Sequence, residues 1–168
     1  NSDPFAALAF RFFFVAVGFL LFSIYSNYSI IIKRKNLIES VLSGVLFHGL
    51  YLGGVFFSIS IGMPTSIAAL IVTLQPILTN ILSGPILNEK VTSKQWVGVL
   101  LGFFGATLVL GLDLGSKIPL LGLVATIIAL ISITASTIWQ KKLSNNLPLS
   151  VSNFYQAVGG CFFHILVV

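Results

Sequence analysis

The distribution of charged residues constrains this chain more than any other feature of its sequence. Residues 40–88 contain no Asp, Glu, Lys or Arg. As a single helix these 49 residues would be about 74 Å long at about 1.5 Å per residue, whereas the hydrocarbon core of a bilayer is about 30 Å thick. The stretch therefore has to cross a membrane twice. The helix breakers Gly62 and Pro64 place its turn at residues 62–65, with Pro64 suited to the first turn of the next helix.

The other uncharged stretches fit one crossing each. They are residues 12–32, 95–112, 118–140 and 143–168, with lengths of 21, 18, 23 and 26 residues, and a helical span needs about 20. Six spans follow, at about 5–27, 40–61, 65–87, 96–112, 119–139 and 149–168. They are apolar all round and lack the alternation of a transmembrane β-barrel. The sequence therefore predicts an all-α integral membrane protein, a multi-helix transmembrane bundle.

Composition excludes several other classes of protein. Charged residues make up 8% of the chain and apolar residues 57%, whereas soluble domains carry about 25% charged residues. A soluble enzyme does not fit this composition. Nucleic acid is not expected as a partner either, because the nine basic residues are spread along the chain and form no phosphate-binding patch. The single Cys161 has no partner for an internal disulfide, and we interpret it as a small buried hydrophobic residue.

The basic residues favour one orientation in the membrane. Segments 33–35, 90–94 and 141–142, which follow the first, third and fifth spans, hold seven Lys and Arg residues. The opposite side has Lys117 in a loop and Arg11 within the first span. The positive-inside rule therefore places these three basic loops in the cytoplasm. Because the chain starts outside on this topology and ends within an apolar run, we expect it to be a piece of a longer protein.

Several short segments resemble one family of transporters. Family-like motifs occur at Leu74-Gln75-Pro76, at Leu87-Asn88-Glu89-Lys90-Val91, at Gln95-Trp96-Val97-Gly98, at Gly105-Ala106-Thr107-Leu108-Val109-Leu110-Gly111, and at Pro4 with Arg11-Phe12. Together they resemble the EamA-type transporters of the drug/metabolite transporter (DMT) superfamily, over nearly the whole chain. Asn88 stands where the family usually has Gly.

The resemblance implies a ten-helix fold made of two inverted five-helix repeats, with both termini in the cytoplasm. On that template, residues 1–117 would be most of the first repeat (helices two to five) and residues 118–168 the start of the second (helices six and seven). The first helix and the last helices would be missing. Pro4 precedes Phe10-Arg11 at the spacing at which Pro148 precedes Phe154-Tyr155, on the opposite side of the membrane, as inverted repeats require.

The resemblance and the topology predict a secondary transporter. It would export or exchange small organic metabolites across the plasma membrane or the bacterial inner membrane by alternating access, with the bilayer and a small-molecule substrate as its partners. We expect no enzymatic activity, cofactor or metal, because the four acidic residues are not clustered and no nucleotide-binding loop is present. Two alternatives stay open, namely a non-transporting receptor or assembly subunit and a lipid-modifying membrane enzyme.

The best candidates for a substrate cavity surround the proline in the third span. Pro76 removes one backbone donor and frees the carbonyl of Val72, and Gln75, Thr79 and Asn80 lie close to it in the sequence. A kinked helix could present these amide groups to a substrate. Alternatively, the proline is simply tolerated and the amides bond to neighbouring helices.

A second set of candidates lies on other spans. His48 and Tyr51 share one helix face, and His48 could bind a substrate, carry a proton or bond across the bundle. Arg11 could attract an anionic substrate or extend to the membrane interface. Tyr155 and Gln156 are weaker cavity candidates. Because the sequence shows no carboxylate at mid-membrane, proton-driven transport would require His48 or a residue on a missing helix.

Small residues four positions apart allow helix backbones to approach closely. Such pairs are Gly98 and Gly102, Gly102 and Ala106, Ala125 and Ala129, and Ser132 and Ser136. We expect them to serve packing. The packing partner could belong to the same chain or to a second copy, which leaves a homodimer open.

Overall fold

The computed structural model describes residues 4–111, 117–144 and 147–167. Within these ranges the regular elements are helices, and no strand is present. They are α1 (Pro4–Tyr25), α2 (Arg34–Gly44), a π-helical segment (Val45–Leu52), α3 (Gly53–Ser60), α4 (Thr65–Val72), α5 (Gln75–Leu87), α6 (Ser93–Leu110), α7 (Leu120–Ser144) and α8 (Leu149–Val167). The predicted all-α, multi-helix transmembrane fold is confirmed.

Five helical stretches among the described residues are long and apolar enough to cross a membrane, judged by length and composition. They are Phe5–Tyr25, Arg34–Ser60, Thr65–Leu87, Ser93–Leu110 and Leu120–Leu143, and they correspond to the first five predicted spans. The sixth predicted span, 149–168, forms the helix α8 (Leu149–Val167), which falls outside this set. The reason is composition, because α8 carries polar residues that lower its mean hydropathy, and Ser152, Gln156 and His164 among them are buried.

The basic residues predicted to lie in loops are mostly at helix ends. Lys33 directly precedes α2, which begins at Arg34, and Lys94 lies in the first turn of α6. Residues 141–142 lie in the last turn of α7, and Lys90 lies between α5 and α6. Helix ends suit these residues because long basic side chains can extend to the interface. Their cytoplasmic location stays a prediction.

The turn between α3 and α4 lies where the sequence predicts it. Gly62 has φ +94°, a left-handed conformation that glycine adopts without steric cost. Pro64 has φ −59° and ψ 128° and stands one residue before α4, so it precedes the first turn of that helix instead of lying within it.

The described residues form two compact units. Unit 1 contains the residues up to Gly53 and those from Trp139 onward, and unit 2 contains Gly54–Ile138. This division follows contacts in space and differs from the proposed repeats, 1–117 and 118–168, which stay a prediction. In unit 1, α8 packs against α1, α2 and the π-helical segment. Its buried apolar residues are Leu8, Phe12, Ala16, Leu143, Val151 and Ala157.

Glycines allow α8 to pack closely within unit 1. A Cβ on Gly44 would collide with the backbone of Gln156, and one on Gly160 would collide with Cβ of His48. A Cβ on Gly159 would lie 2.5 Å from the carbonyl oxygen of Val41. The backbones of α2 and the π-helical segment therefore lie almost directly against the backbone of α8. Small residues permit this close approach in membranes.

In unit 2, the buried surface of α7 is mixed in polarity. Ala129 and Leu130 are buried together with Thr126 and Thr134. The two threonine hydroxyls donate to carbonyl oxygens one turn earlier in α7, at distances of 2.8 and 2.7 Å. Their polar groups are therefore satisfied within the helix, and α7 can bury them at little cost.

The small-residue pairs differ in how they pack. Ala129, Ser132 and Ser136 are buried in α7, in agreement with the packing role predicted for them. Gly98 and Gly102 on α6 have open space where a Cβ would point, and α6 has no buried residue. The predicted packing at this pair is therefore not seen within the described residues.

Cys161 differs from the prediction of a buried residue. It is only partly buried, and its Sγ lies 3.5 Å from the carbonyl oxygen of Ala9. It lines an open apolar cleft of about 480 Å³ between α1 and α8, together with Ala6, Ala9, Phe10, Phe13 and Ile165.

Candidate functional site

The third predicted span is interrupted near its middle. Helix α4 ends at Val72 and α5 begins at Gln75, with Pro76 in the first turn of α5. Because Pro76 has no N–H, it cannot bond to the carbonyl of Val72. The hydroxyl of Thr73 donates to the carbonyl oxygen of Leu70 at 2.6 Å. The predicted kink at Pro76 is thus present as a break between two helices.

Gln75 connects this break to α7 within unit 2. Its Nε2 lies 3.3 Å from Oγ1 of Thr79 and 3.2 Å from Oγ1 of Thr137. Because Thr137 donates its own hydroxyl proton to the carbonyl oxygen of Ile133 at 2.8 Å, its oxygen can accept from Gln75. The amide of Gln75 is therefore held in one position at the N-terminal end of α5.

Asn80 brings a second amide group to α5. Its Nδ2 is buried and has no hydrogen-bond partner within the described ranges. Its backbone carbonyl accepts from the hydroxyl of Ser83 at 3.0 Å. A buried amide donor without a partner is uncommon and calls for an explanation, and a bound polar molecule would supply one.

In unit 1, His48 and Tyr51 lie on the π-helical segment. The ring of His48 is 4.3 Å from the ring of Phe12 between centroids, and Tyr51 packs against Phe47 at 5.9 Å. Arg11 is exposed, and its Cζ lies 5.8 Å from the centre of the Phe12 ring. Phe12 is therefore the side chain that connects Arg11 to His48.

Tyr155 and Gln156 take part in hydrogen bonds that hold unit 1 together. The hydroxyl of Tyr155 donates to the carbonyl oxygen of Ile30 at 2.9 Å. Gln156 is buried, accepts from Nε2 of Gln140 at 2.7 Å and donates to Ser152 at 3.0 Å. These partners fit a role in packing, because they occupy both ends of the Gln156 amide.

The nine candidates thus form three groups. Gln75, Pro76, Thr79 and Asn80 lie in unit 2. In unit 1, Arg11, His48 and Tyr51 form one group, and Tyr155 with Gln156 forms the other. The last two groups are about one helical turn apart, since Gly160, four residues after Gln156, contacts His48.

Two residues that form hydrogen bonds with the candidates were not identified from the sequence. His164 is fully buried, and its Nε2 lies 2.8 Å from the carbonyl oxygen of His48. Thr137 bonds Gln75 across 62 positions of the chain. An ionisable residue within an apolar helix was an available signal for His164, whereas no local pattern marks Thr137.

The described part of the chain offers no metal site, since it contains no group of three or more His, Cys, Asp or Glu side chains placed to hold an ion. The chemistry available at the helix break is hydrogen bonding by amides and hydroxyls. Such groups can bind and release a polar solute.

Comparison with known proteins identifies the family. The EamA-like transporter family matches residues 1–111. An "Uncharacterized transporter YvbV" of Bacillus subtilis (strain 168) is 25% identical over 132 residues, covering 74% of this chain and 42% of that protein. A "Probable amino-acid metabolite efflux pump" of Escherichia coli (strain K12) is 29% identical over 92 residues, covering 54% of this chain and 31% of the pump.

A "Probable amino-acid metabolite efflux pump" of Salmonella typhimurium is likewise 29% identical, over 94 residues that cover 55% of this chain and 31% of that protein. The matches thus span less than half the length of each of these relatives. No solved structure gives a significant match. Because the family match covers about two thirds of the residues and the fold consists of apolar spanning helices, the chain belongs to the EamA-like transporter family.

Proposed function

We propose that this chain is part of a secondary transporter that exports or exchanges a small organic metabolite by alternating access, and that it is not an enzyme. The family match and the printed names of the relatives support transport. The orientation with the basic helix ends in the cytoplasm, in a bacterial inner membrane, belongs to the same proposal and rests on the distribution of charges.

The observation that carries the proposal is the break between α4 and α5. Substrate sites of secondary transporters commonly lie near the midplane, where interrupted helices expose backbone groups and helix ends. Here the break lies near the middle of Thr65–Leu87. Gln75 stands at the N-terminal end of α5, and Asn80 follows it by about one turn with a buried unpartnered donor.

These groups suit a substrate that carries a carboxylate. A helix N-terminus has a partial positive charge and favours an anionic group. The unpartnered Nδ2 of Asn80 can donate to a carboxylate oxygen, and Nε2 of Gln75 can do so by exchanging its bond to Thr79 or Thr137 for one to the substrate. Two relatives are named as probable amino-acid metabolite efflux pumps. We therefore propose an amino-acid metabolite as the substrate class.

The test is counterflow in proteoliposomes that contain the full-length protein and a radiolabelled mixture of amino acids. Gln75→Ala should lower the initial rate about ten- to a hundredfold, because a hydrogen bond to a charged group contributes about 1.5–3 kcal/mol. The matched control is Gln95→Ala, which removes a glutamine that bonds only with Thr92 among the described residues. The control should transport at close to the original rate.

Two results would contradict different parts of the proposal. If folded Gln75→Ala protein transports like the original, the helix break is not the substrate site, although transport itself stands. If the folded full-length protein shows no counterflow of amino acids or of other organic solutes, the transport function is wrong.

A further inference from the structure

Two histidines from distant parts of the sequence meet inside unit 1. His48 belongs to the π-helical segment and His164 to α8. Nε2 of His164 lies 2.8 Å from the carbonyl oxygen of His48. His164 is fully buried, and Nδ1 of both rings is buried without a hydrogen-bond partner among the described residues.

The hydrogen bond determines which nitrogen of His164 carries the proton. A carbonyl oxygen can only accept, so Nε2 of His164 has to be the N–H that donates to it. In the neutral ring, Nδ1 then has a free lone pair and no hydrogen. The structure therefore presents an unused proton acceptor inside unit 1, between α8 and the π-helical segment.

Aromatic rings surround this acceptor. The ring centroid of His164 is 5.9 Å from that of Phe5, 5.7 Å from Phe12 and 5.7 Å from Phe163, and the Phe12 ring is within 8° of parallel. Cations within about 6 Å of an aromatic centroid are attracted to the face of the ring. The nearly parallel Phe12 ring can therefore offset part of the cost of a positive charge on His164.

Few other ionisable groups lie near the pair. On the helices packed around it the ionisable groups are Arg11 and Tyr25 of α1, Arg34, Lys35 and Glu39 of α2, Tyr51 of the π-helical segment, and Tyr155 and Cys161 of α8. Glu39 of α2 is the one carboxylate in the described part of unit 1, and it pairs with Lys35 at 3.9 Å. It precedes His48 by nine residues, which is about 13 Å along a helix.

We propose that His48 and His164 form a proton-binding site that couples proton movement to solute transport, a step that rests on the transport function proposed above. Nδ1 of His164 takes a proton from water on one side of the membrane, and the imidazolium returns it to water on the other side. No bond in the solute changes. Arg11, whose guanidinium contacts the same Phe12 ring that packs against His48, opposes a positive charge on His48 and so favours release of a proton from that ring.

Proton binding can be coupled to a conformational change because Nδ1 of His164 has no hydrogen-bond acceptor beside it among the described residues. Protonation turns Nδ1 into a donor, and a buried donor without an acceptor is costly. The charged state therefore favours a conformation in which Nδ1 reaches water or a new acceptor, and the neutral state favours the conformation described here. A proton thereby shifts the equilibrium between the two conformations through its different affinity for each.

The first experiment observes the proton and requires no solute. In the full-length protein with nitrogen-labelled histidine, the NMR signals lost in His164→Gln and in His48→Gln identify the two rings. At least one of these rings should change from neutral to protonated as the pH is lowered from about 8 to about 4. If both rings stay neutral throughout, the inference is overturned, whatever is transported.

The second experiment measures coupling in proteoliposomes with the radiolabelled amino-acid mixture. A tenfold difference in proton concentration should accumulate solute up to about tenfold if one proton moves per solute. His164→Gln keeps a side-chain N–H donor but cannot titrate, so it should abolish this accumulation and retain counterflow. His164→Asn serves in the same way if His164→Gln does not fold. The control Cys161→Ser, three residues away, should keep the accumulation.

The outcomes separate the two proposals. Gradient-driven accumulation that persists in a folded histidine variant overturns the coupling site and leaves the transport function intact. Absence of counterflow in the original protein overturns the transport function, and the coupling site with it.

Discussion

Asn88 shows how one residue can take the place of another in a family motif. It ends α5 with φ 56° and ψ 32°, in the left-handed region. The family usually has Gly here, because a left-handed residue commonly ends a helix and Gly adopts this conformation without strain. Asn is the other residue that tolerates it, so the departure from the family pattern preserves the turn.

This conformation leads to a stability prediction. Asn88→Gly should change the free energy of unfolding by a few tenths of a kcal/mol. Asn88→Ala should lower it by about 1 kcal/mol, because alanine keeps the Cβ that is crowded at positive φ but lacks the short polar side chain that can bond locally in this conformation. Thermal unfolding of the full-length protein in detergent measures both variants. Asn36→Ala, within α2 and outside the set of positive-φ residues, is the control and should cost little. Equal losses at Asn36 and Asn88 would contradict the explanation.

A capping box begins α6 at the family glutamine. The hydroxyl of Thr92 accepts from the backbone N–H of Gln95 at 3.3 Å, and Oε1 of Gln95 accepts from the backbone N–H of Thr92 at 2.7 Å. Two backbone donors that a helix start leaves unpaired are thus satisfied. Gln95 therefore has a structural role that the spacing Thr-x-x-Gln already indicates.

At the scale of elements, close packing of α2 and the π-helical segment on α8 depends on glycine. Gly44 lies against the backbone of Gln156, and Gly49 lies against the ring of Phe163 at 2.6 Å from an ideal Cβ. A backbone neighbour cannot rotate away as a side chain can. The contact at Gly44 is therefore the least tolerant of added volume.

We expect Gly44→Ala to destabilise the protein by about 1–3 kcal/mol, the usual cost of forcing a methyl group into a packed site. Gly18→Ala is the matched control, because Gly18 lies within α1 and nothing is within 4 Å of its ideal Cβ. The control should be neutral or stabilising, since alanine forms helices better than glycine. The difference in melting temperature between the two variants measures the effect, and similar values would show that the contact is not limiting.

At the scale of the whole molecule, orientation is the property that the charges predict and that labelling can test. In a full-length background without other cysteines, single cysteines replace Lys33, Lys90 and Lys117, which are exposed. Lys33→Cys and Lys90→Cys should react with an impermeant thiol reagent only after the inner face is opened. Lys117→Cys should react from the outside, because it lies on the side with fewer basic residues. Reaction of all three from one side would contradict the topology.

The sequence alone determined the helical class, the first five spans, the turn at Gly62 and the break at Pro76. These features are readable because their energetic effects are large and depend on the residue itself. A charge at mid-membrane costs several kcal/mol, and proline removes a helix hydrogen bond wherever it occurs. The family followed from short motifs around Glu89, and the match to residues 1–111 confirmed it. Which candidates form the substrate site stays a proposal.

Only the tertiary structure decided which polar groups meet. His164 bonds the carbonyl of His48 from 116 positions away, and Gln75 bonds Thr137 from 62. Helices that are apolar all round carry no stripe to indicate which face is buried, so the sequence did not show that α8 would bury Gln156 or that α6 would leave its glycines open. Such pairings depend on close contact between backbones, and shape complementarity leaves no periodic signal in a sequence.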